Sequence, residues 1–592
     1  MRKAIEEAVN VFKNSIQSKG FSVLVLNAPT GYGKTVAGPL LYKACSDTGI
    51  CYRAIHVFPL RSIVRDFYLC KLLGSLIEFL DESTASSIRN ICGDSVASQE
   101  LANVVKSLGL AVDDVAYQMG EVLGYECTRK APLFDARYIV STADSFFYNL
   151  FRIPVTEIFS SKKHYAIPRL RIYTGFVYFD EAHMIVEESD EESKMFTLFL
   201  HSLSILKAMR TPTVLASATL PAKLIDEVAR RVGDAVAVVM LGARSEKSGN
   251  RVVVEDKEFA DAVASISWCT ELRSKEEAVR IAIDAASSYR VFVGCDTIKN
   301  AINRFRILAT KLGEEEVVML NGLMTRGDRA KSLEKLRKAK VLVATSVAEA
   351  GIDTSFDVLI TDGARIPSLV QRSGRVCRYI DKKCEEARIY IVKEFASQEL
   401  ISFVNKHNNI CWRLPFDYGG YVGYQRLVDM WTKPRTDSVL EGVLYRLAYP
   451  LYVSPQLIKS ELQKIGGALT RSILAEVTLV DDLSMLSSFT VEKLYMNSLS
   501  LDLEKVIRLY EKGCIATAVA YSVVDDGRVV NVEDIAKSDR YKELLRRVVE
   551  EKWRRGLSYF KLVESLAKND MRLTFILRSD CYRPGEGIVA LV

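Results

Sequence analysis

The sequence contains no C-x-x-C pair, although it has twelve cysteines. That absence excludes a zinc ribbon or an iron–sulfur cluster of the usual spacing. The cysteines are scattered, and they read as core or surface thiols of a reduced, cytoplasmic protein. No apolar run approaches about 18 residues, so no membrane span is expected. The first residues, MRKAIEEAVNVFKNSIQ, are charged and amphipathic and do not resemble a signal peptide. No internal repeat and no low-complexity tract occurs. Only 8 glutamines occur in 592 residues, a depletion associated with life at high temperature, where an intracellular disulfide is less improbable. The net charge of +6, from 80 basic and 74 acidic residues, imposes no polyanionic partner by itself. A large enzyme can confine its basic residues to one groove.

At this length, three or four domains are expected. Short apolar runs at 21–29, 54–60, 136–142, 175–183 and 213–219 alternate with helical stretches. A second set follows at 289–297, 316–322, 340–346, 357–363 and 387–393. Strands alternating with helices predict parallel sheets, and two sets predict two α/β domains. We place them at 1–240 and 241–396, with the polar segment 242–257 read as a linker or as an entry into the second domain. Residues 397–592 read as a mainly helical accessory domain. Within it, 514–532 forms a hairpin around Asp-Asp-Gly, and a further strand pair ends the chain.

Ala28-Pro29-Thr30-Gly31-Tyr32-Gly33-Lys34-Thr35 follows a strand and opens a helix, which is the context a phosphate loop needs. Gly31 and Gly33 let backbone N–H groups wrap a β-phosphate, and the helix N-terminus adds a favourable dipole. Lys34 is placed for the β- and γ-phosphates of ATP, and Thr35 for Mg²⁺. Downstream, a strand ends in Asp180-Glu181-Ala182-His183. Asp180 is read as a ligand of the Mg²⁺ shell, and Glu181 as the group that activates the attacking water. His183 is read as the link to Ser217-Ala218-Thr219, one strand later.

The most specific segment is KVLVATSVAEAGIDTSFDVLITDGARIPSLVQRSGRVCRY, residues 340–379. Gln371, Arg375 and Arg378 read as one helical face that reaches across a cleft to a γ-phosphate. A guanidinium delivered in that way stabilises the charge spread over a transferring phosphoryl group. Asp353 is placed for the ATP ribose, and Gln17, upstream of the loop, for its adenine. Pro59, Arg61, Thr142, Thr297, Arg326, Thr345 and Glu349 are candidate positions at a nucleic-acid interface, where the threonine hydroxyls and the two arginines suit a sequence-independent grip on the phosphate backbone. Lys162, Lys163, His164, Arg169 and Arg171 form a further basic stretch, read as a solvated loop.

Together these motifs resemble a superfamily 2 DEAH helicase with two RecA-like domains. The wording of 345–379 resembles one branch, the CRISPR-associated helicase of type I systems. The resemblance covers about residues 20–395. It implies an ATP-dependent, 3′–5′ translocase on single-stranded DNA, recruited to an RNA-guided effector complex. Cys377 stands where the branch usually has Asn. Many members carry an HD nuclease domain rich in His and Asp; none of the five histidines here is followed by Asp. The resemblance therefore implies the stand-alone form, with a separate HD nuclease subunit and a C-terminal lid. Two alternatives stay open: a general DEAH helicase of repair or RNA metabolism, and a non-hydrolysing ATP-binding subunit. The second is disfavoured because Lys34, Asp180, Glu181, Gln371, Arg375 and Arg378 are all present.

Overall fold

The computed structural model describes all residues except 1, 94–95, 122, 124–127, 155–163, 187–191, 350–353, 380–383, 451–452, 471–472, 525–526 and 553, and the side chains of Glu192 and Asp234. Asp353, Lys162 and Lys163 therefore lie outside the described residues.

The runs of Val, Ile, Leu and Phe become buried strands of two large sheets. The first has nine strands. Its centre, Val23–Asn27, pairs in parallel with Thr213–Ser217 on one side and Val236–Leu241 on the other. Gly175–Phe179, Arg53–Phe58, Tyr138–Thr142 and Val115–Gln118 continue outward beyond Thr213–Ser217, all parallel. Burial on both faces explains why these strands read as continuous apolar runs rather than alternating ones. The second sheet has six parallel strands, ordered Ser267–Arg273, Glu386–Ala396, Val358–Gly363, Val291–Gly294, Val341–Ala344 and Val317–Leu320.

Three sequence readings change. The segment read as a linker, 242–257, contains Glu246–Ser248 and Arg251–Val254, which extend the first sheet. Its polar side chains sit on an exposed edge hairpin, and polarity alone does not distinguish such a hairpin from a linker. The third region keeps its predicted helices and the 515–534 hairpin, and adds a five-stranded sheet, ordered Ser498–Asp502, Leu474–Leu479, Arg572–Leu577, Ile515–Val523 and Val529–Asp534. Finally, eight cysteines expected as thiols pair as Cys45–Cys51, Cys70–Cys92, Cys377–Cys384 and Cys514–Cys581. Tertiary packing brings these partners together, which their scatter in sequence conceals. Among the described residues no helix is long and apolar enough to cross a membrane.

Candidate active site and nucleic-acid interface

Parallel pairing aligns carboxyl ends, and ligand sites of open α/β sheets form there. Asn27 lies beside Ser217, and Phe179 beside Leu215. The phosphate loop, the Asp180–His183 turn and the Ser217–Thr219 turn thus leave three adjacent strands at one edge. Gly31 and Gly33 have φ of 79° and 101°, conformations that L side chains rarely adopt. Lys34 is buried, and its ammonium donates to the carbonyls of Ala28 (3.0 Å) and Pro29 (3.2 Å). Thr35 is exposed at the start of helix Lys34–Ser46.

Asp180 accepts from the Glu181 N–H at 2.9 Å and lies 3.4 Å from His56 Nε2. His56 was not singled out in the sequence, because a histidine inside an apolar strand looks like core. Burial lowers its pKa against the pull of Asp180. A hydroxyl at Thr35 and a carboxylate at Asp180 are hard oxygen donors of the kind Mg²⁺ takes, so the residues present fit that ion. Glu181 has φ of 47°, a left-handed conformation that costs roughly 1–2 kcal/mol in a residue with a β-carbon. Burial raises its pKa and Asp180 adds to the rise; Lys34, Arg375 and the Gln371 hydrogen bond oppose it.

His183 Nδ1 and Ser217 Oγ share a hydrogen bond of 2.6 Å, and Ser217 Oγ also accepts from the Thr219 N–H at 3.1 Å. The predicted link between these two turns is thus a direct contact. Burial and Lys34 push the His183 pKa down to about 3, so the ring is neutral and its 3.5 Å approach to Glu181 is no ion pair.

The second sheet delivers the helix Ile366–Ser373 to the same cleft. Gln371 Nε2 donates to Glu181 Oε2 (3.3 Å), and Thr30 Oγ donates to Gln371 Oε1 (3.3 Å). One side chain therefore touches both the phosphate loop and the acidic turn. Arg375 donates to the Glu349 carbonyl at 2.6 Å and is close enough to Glu181 to lower its pKa. The arginines do not share a helical face as expected. The helix ends at Ser373, and Cys377 takes φ of 47°, so Arg378 follows a tight turn.

Two further expectations fail on position. Gln17 is exposed near the far end of helix Lys3–Lys19. Ile5, which abuts the loop at Gly33, is twelve residues earlier, roughly 18 Å along the axis. Gln17 is therefore out of reach of a nucleotide held by the loop. Glu349 is buried and engaged with Ser368 (3.1 Å) and Arg372 (2.8 and 3.0 Å), so it braces the helix bearing Gln371 rather than facing a strand. Arg372, fully buried, also binds Asp296 at 2.9 Å and the Cys295 carbonyl at 3.1 Å. Its neighbours in the QR-x-GR pattern gave no sign of this internal role.

The candidate strand contacts divide. Thr142 and Thr297 cap helices Ala143–Leu150 and Ile298–Leu312; Thr142 is buried and Thr297 exposed. Pro59 is half-buried beside Arg61, and Thr345 is buried at the end of Val341–Ala344. Arg61 and Arg326 meet in one cluster. Arg61 donates to Glu121 and Ser500, both at 2.9 Å. Arg326 pairs with Glu476 at 2.5 Å and Glu121 at 2.8 Å, and its guanidinium lies 4.4 Å from the Tyr495 ring centroid. Burial raises the Glu121 pKa, but Arg326 and Arg61 outweigh it and hold the carboxyl well below the usual range. Burial, Arg572 and Arg61 push Lys130 down to about 8, and burial, Arg65 and Arg326 push Arg329 down to about 10. All three regions of the chain contribute to this cluster, and Arg61, Lys130, Arg326, Arg329 and Arg572 outnumber Glu121, Glu476 and the nearby Asp144.

Residues 287–381, which include the Gln371-to-Arg378 stretch, match a known family described as CRISPR-associated nuclease/helicase Cas3, C-terminal. The resemblance is to Cas3. The chain is 23% identical over 409 residues to the CRISPR-associated nuclease/helicase Cas3 of Streptococcus thermophilus, covering 63% of this chain and 41% of that protein. It is 23% identical over 380 residues to the CRISPR-associated helicase Cas3 of Thermoproteus tenax, covering 62% and 56%. The chain thus spans about half the length, or less, of these curated relatives. The crystal structure of T. fusca Cas3 superposes with a TM-score of 0.52 at 14% identity, covering 91% of this chain and 68% of that one. That superposition shows a shared fold, with tandem parallel sheets of the RecA-like kind.

Proposed function

We propose that this protein is an ATP-dependent nucleic-acid translocase whose hydrolytic site is split between the two parallel sheets. The observation that carries the reading is Gln371, which bonds to Thr30 of the phosphate loop and to Glu181 of the acidic turn across the cleft. A side chain of one domain that touches both halves of a phosphoryl-transfer site couples domain closure to chemistry.

In this reading Lys34 and the loop amides hold the β- and γ-phosphates. Glu181 accepts a proton from water as the water oxygen bonds to the γ-phosphorus and the bond to the β–γ bridging oxygen breaks. The raised pKa of Glu181 makes its carboxylate a better base than an exposed one. Arg375 and Arg378 stabilise charge on the transferring group. Thr35 and Asp180 would hold Mg²⁺, which when bound neutralises phosphate charge. The neutral His183–Ser217 bond links hydrolysis to the adjoining turn. The basic surplus around Arg61 and Arg326 supports a polyanion as partner.

The finer reading is 3′–5′ movement on single-stranded DNA within CRISPR interference, feeding a separate HD nuclease at an RNA-guided complex. It draws on the relatives, one of which is named a CRISPR-associated helicase and another a CRISPR-associated nuclease/helicase. ATP hydrolysis measured with single-stranded DNA, RNA or neither tests the proposal, with Lys34→Ala as control. Stimulation by DNA and loss in the variant are expected. No stimulation by any polynucleotide overturns the motor reading, and stimulation by RNA alone overturns the finer one. Co-purification with a small HD nuclease tests the partner.

A further inference from the structure

The segment that follows the second sheet returns to the cleft. Ile410–Cys411 pairs with Val422–Gly423, and Trp412 Nε1 bonds to Thr270 at 3.0 Å, which fixes the strap against the second domain. Tyr424 OH then donates to the carbonyl of Ala218 at 2.9 Å, in the turn that His183 also reaches through Ser217. Between these anchors stands Arg413, 2% exposed. Its Nη1 donates to the carbonyl of Cys377, between Arg375 and Arg378, at 2.8 Å. Its Nη2 faces the phosphate loop: a β-carbon built on Gly31 would lie 3.3 Å from it.

A buried guanidinium normally sits against a carboxylate, because desolvating an unpaired charge costs several kcal/mol. Here, among the described residues, no carboxylate lies within ion-pair distance of Arg413, and its Nε has no hydrogen-bond partner. The ionised side chains that act on it are cations, Arg378 and Arg2. Burial, with Arg378 and Arg2 adding, brings its pKa down to about 10, so it stays charged at neutral pH. Arg2 lies over the rings of Phe259 (5.0 Å) and Tyr32 (5.9 Å), and Arg413 is 6.0 Å from the Phe259 centroid. Ring faces compensate a desolvated cation only in part. Three arginines from separate stretches of the chain thus converge beside a loop whose amides favour an anion.

We propose that Arg413 is a ligand of the nucleotide phosphates, delivered to the phosphate loop from beyond the two parallel-sheet domains. The proposal rests on the ATP reading above. The protein would then require the strap to be seated before it holds a triphosphate tightly, a role for 397–592 at the chemistry itself. Arg413 differs from Arg375 and Arg378 in that it approaches from the Gly31 side and comes from the strap beyond the second sheet.

Isothermal titration of the full chain with ATP, ADP and adenosine, for the native protein, Arg413→Gln and Arg413→Lys, tests this, with melting temperatures in parallel. Loss of one charge-assisted phosphate contact predicts ATP binding weakened about tenfold or more in Arg413→Gln, with adenosine binding unchanged. Arg413→Lys should fall between, because it keeps the charge and loses the fork. The apo melting temperature of Arg413→Gln should not fall, since an unpaired buried charge is removed. Native protein that binds no ATP defeats the ATP reading itself. Unchanged ATP affinity in a folded Arg413→Gln, or equal weakening toward adenosine, overturns the proposal. Loss of the fold in both variants also overturns it, since it would mark the guanidinium as structural.

Discussion

Glu476→Gln should destabilise the protein and strengthen its grip on nucleic acid at the same time. Glu476 is bonded by both terminal nitrogens of Arg326, at 2.5 and 3.2 Å, and by Ser500 at 3.0 Å. The pair is well shielded, with Arg326 at 8% and Glu476 at 24% side-chain exposure. A hydrogen bond to a charged group contributes about 1.5–3 kcal/mol. Arg326 keeps Glu121 at 2.8 Å, so the net loss should sit near the lower figure. Binding should move the other way. At about 6 Å and an effective dielectric of about 20, a carboxylate repels a phosphate by roughly 2–3 kcal/mol, and salt reduces this to about 1 kcal/mol, close to fivefold in affinity. Urea denaturation reads the first effect. Fluorescence anisotropy with labelled single-stranded DNA across a salt series reads the second. Weaker DNA binding in a folded Glu476→Gln would refute the reasoning, because Glu476 would then be organising the cations rather than occupying a phosphate's place.

Other outcomes follow from the same geometry. Glu181→Gln should lower kcat by roughly 10²–10⁴ while leaving ATP binding near native. The raised pKa of Glu181 means that native kcat falls with decreasing pH from above the ordinary Glu value, and a pH–rate profile of the variant should lack that acid limb. His183→Ala should reduce polynucleotide stimulation of hydrolysis more than basal hydrolysis. Because His183 is neutral down to about pH 3 when folded but titrates near 6.5 when unfolded, the native state should lose about 1.4 kcal/mol per pH unit from 6.5 down toward 3, an effect absent from the variant in acid denaturation. Reduction of Cys514–Cys581, which closes a loop of 67 residues, should lower stability by about 4 kcal/mol on a chain-entropy basis, and Cys514→Ala should reproduce the loss in denaturant midpoints.

What was legible in the sequence was whatever rests on local order. Strands buried on both faces must be continuously apolar, so all ten expected runs lie in the two parallel sheets. A phosphate loop, an acidic strand end and an S-A-T turn are each short enough that spacing alone carries them, and parallel pairing then sets them at one edge. What the sequence left hidden was every property that depends on where a side chain comes to lie relative to distant chain. Gln17 is on the expected helix but at its wrong end. Glu349 faces inward to Arg372, and Arg375 and Arg378 lie beyond the helix that ends at Ser373, with the left-handed Cys377 between them. His56, Glu121, Glu476 and Arg413 have no motif around them; their significance is a matter of which charges they meet. By itself the sequence determined the fold class and the three turns that leave adjacent strand ends of the first sheet, since both follow from periodicity and local turn chemistry. Only the tertiary structure decided which side chains meet across the cleft and where the strap from 397–592 lies, because burial, charge neighbours and paired cysteines are set by packing across hundreds of residues.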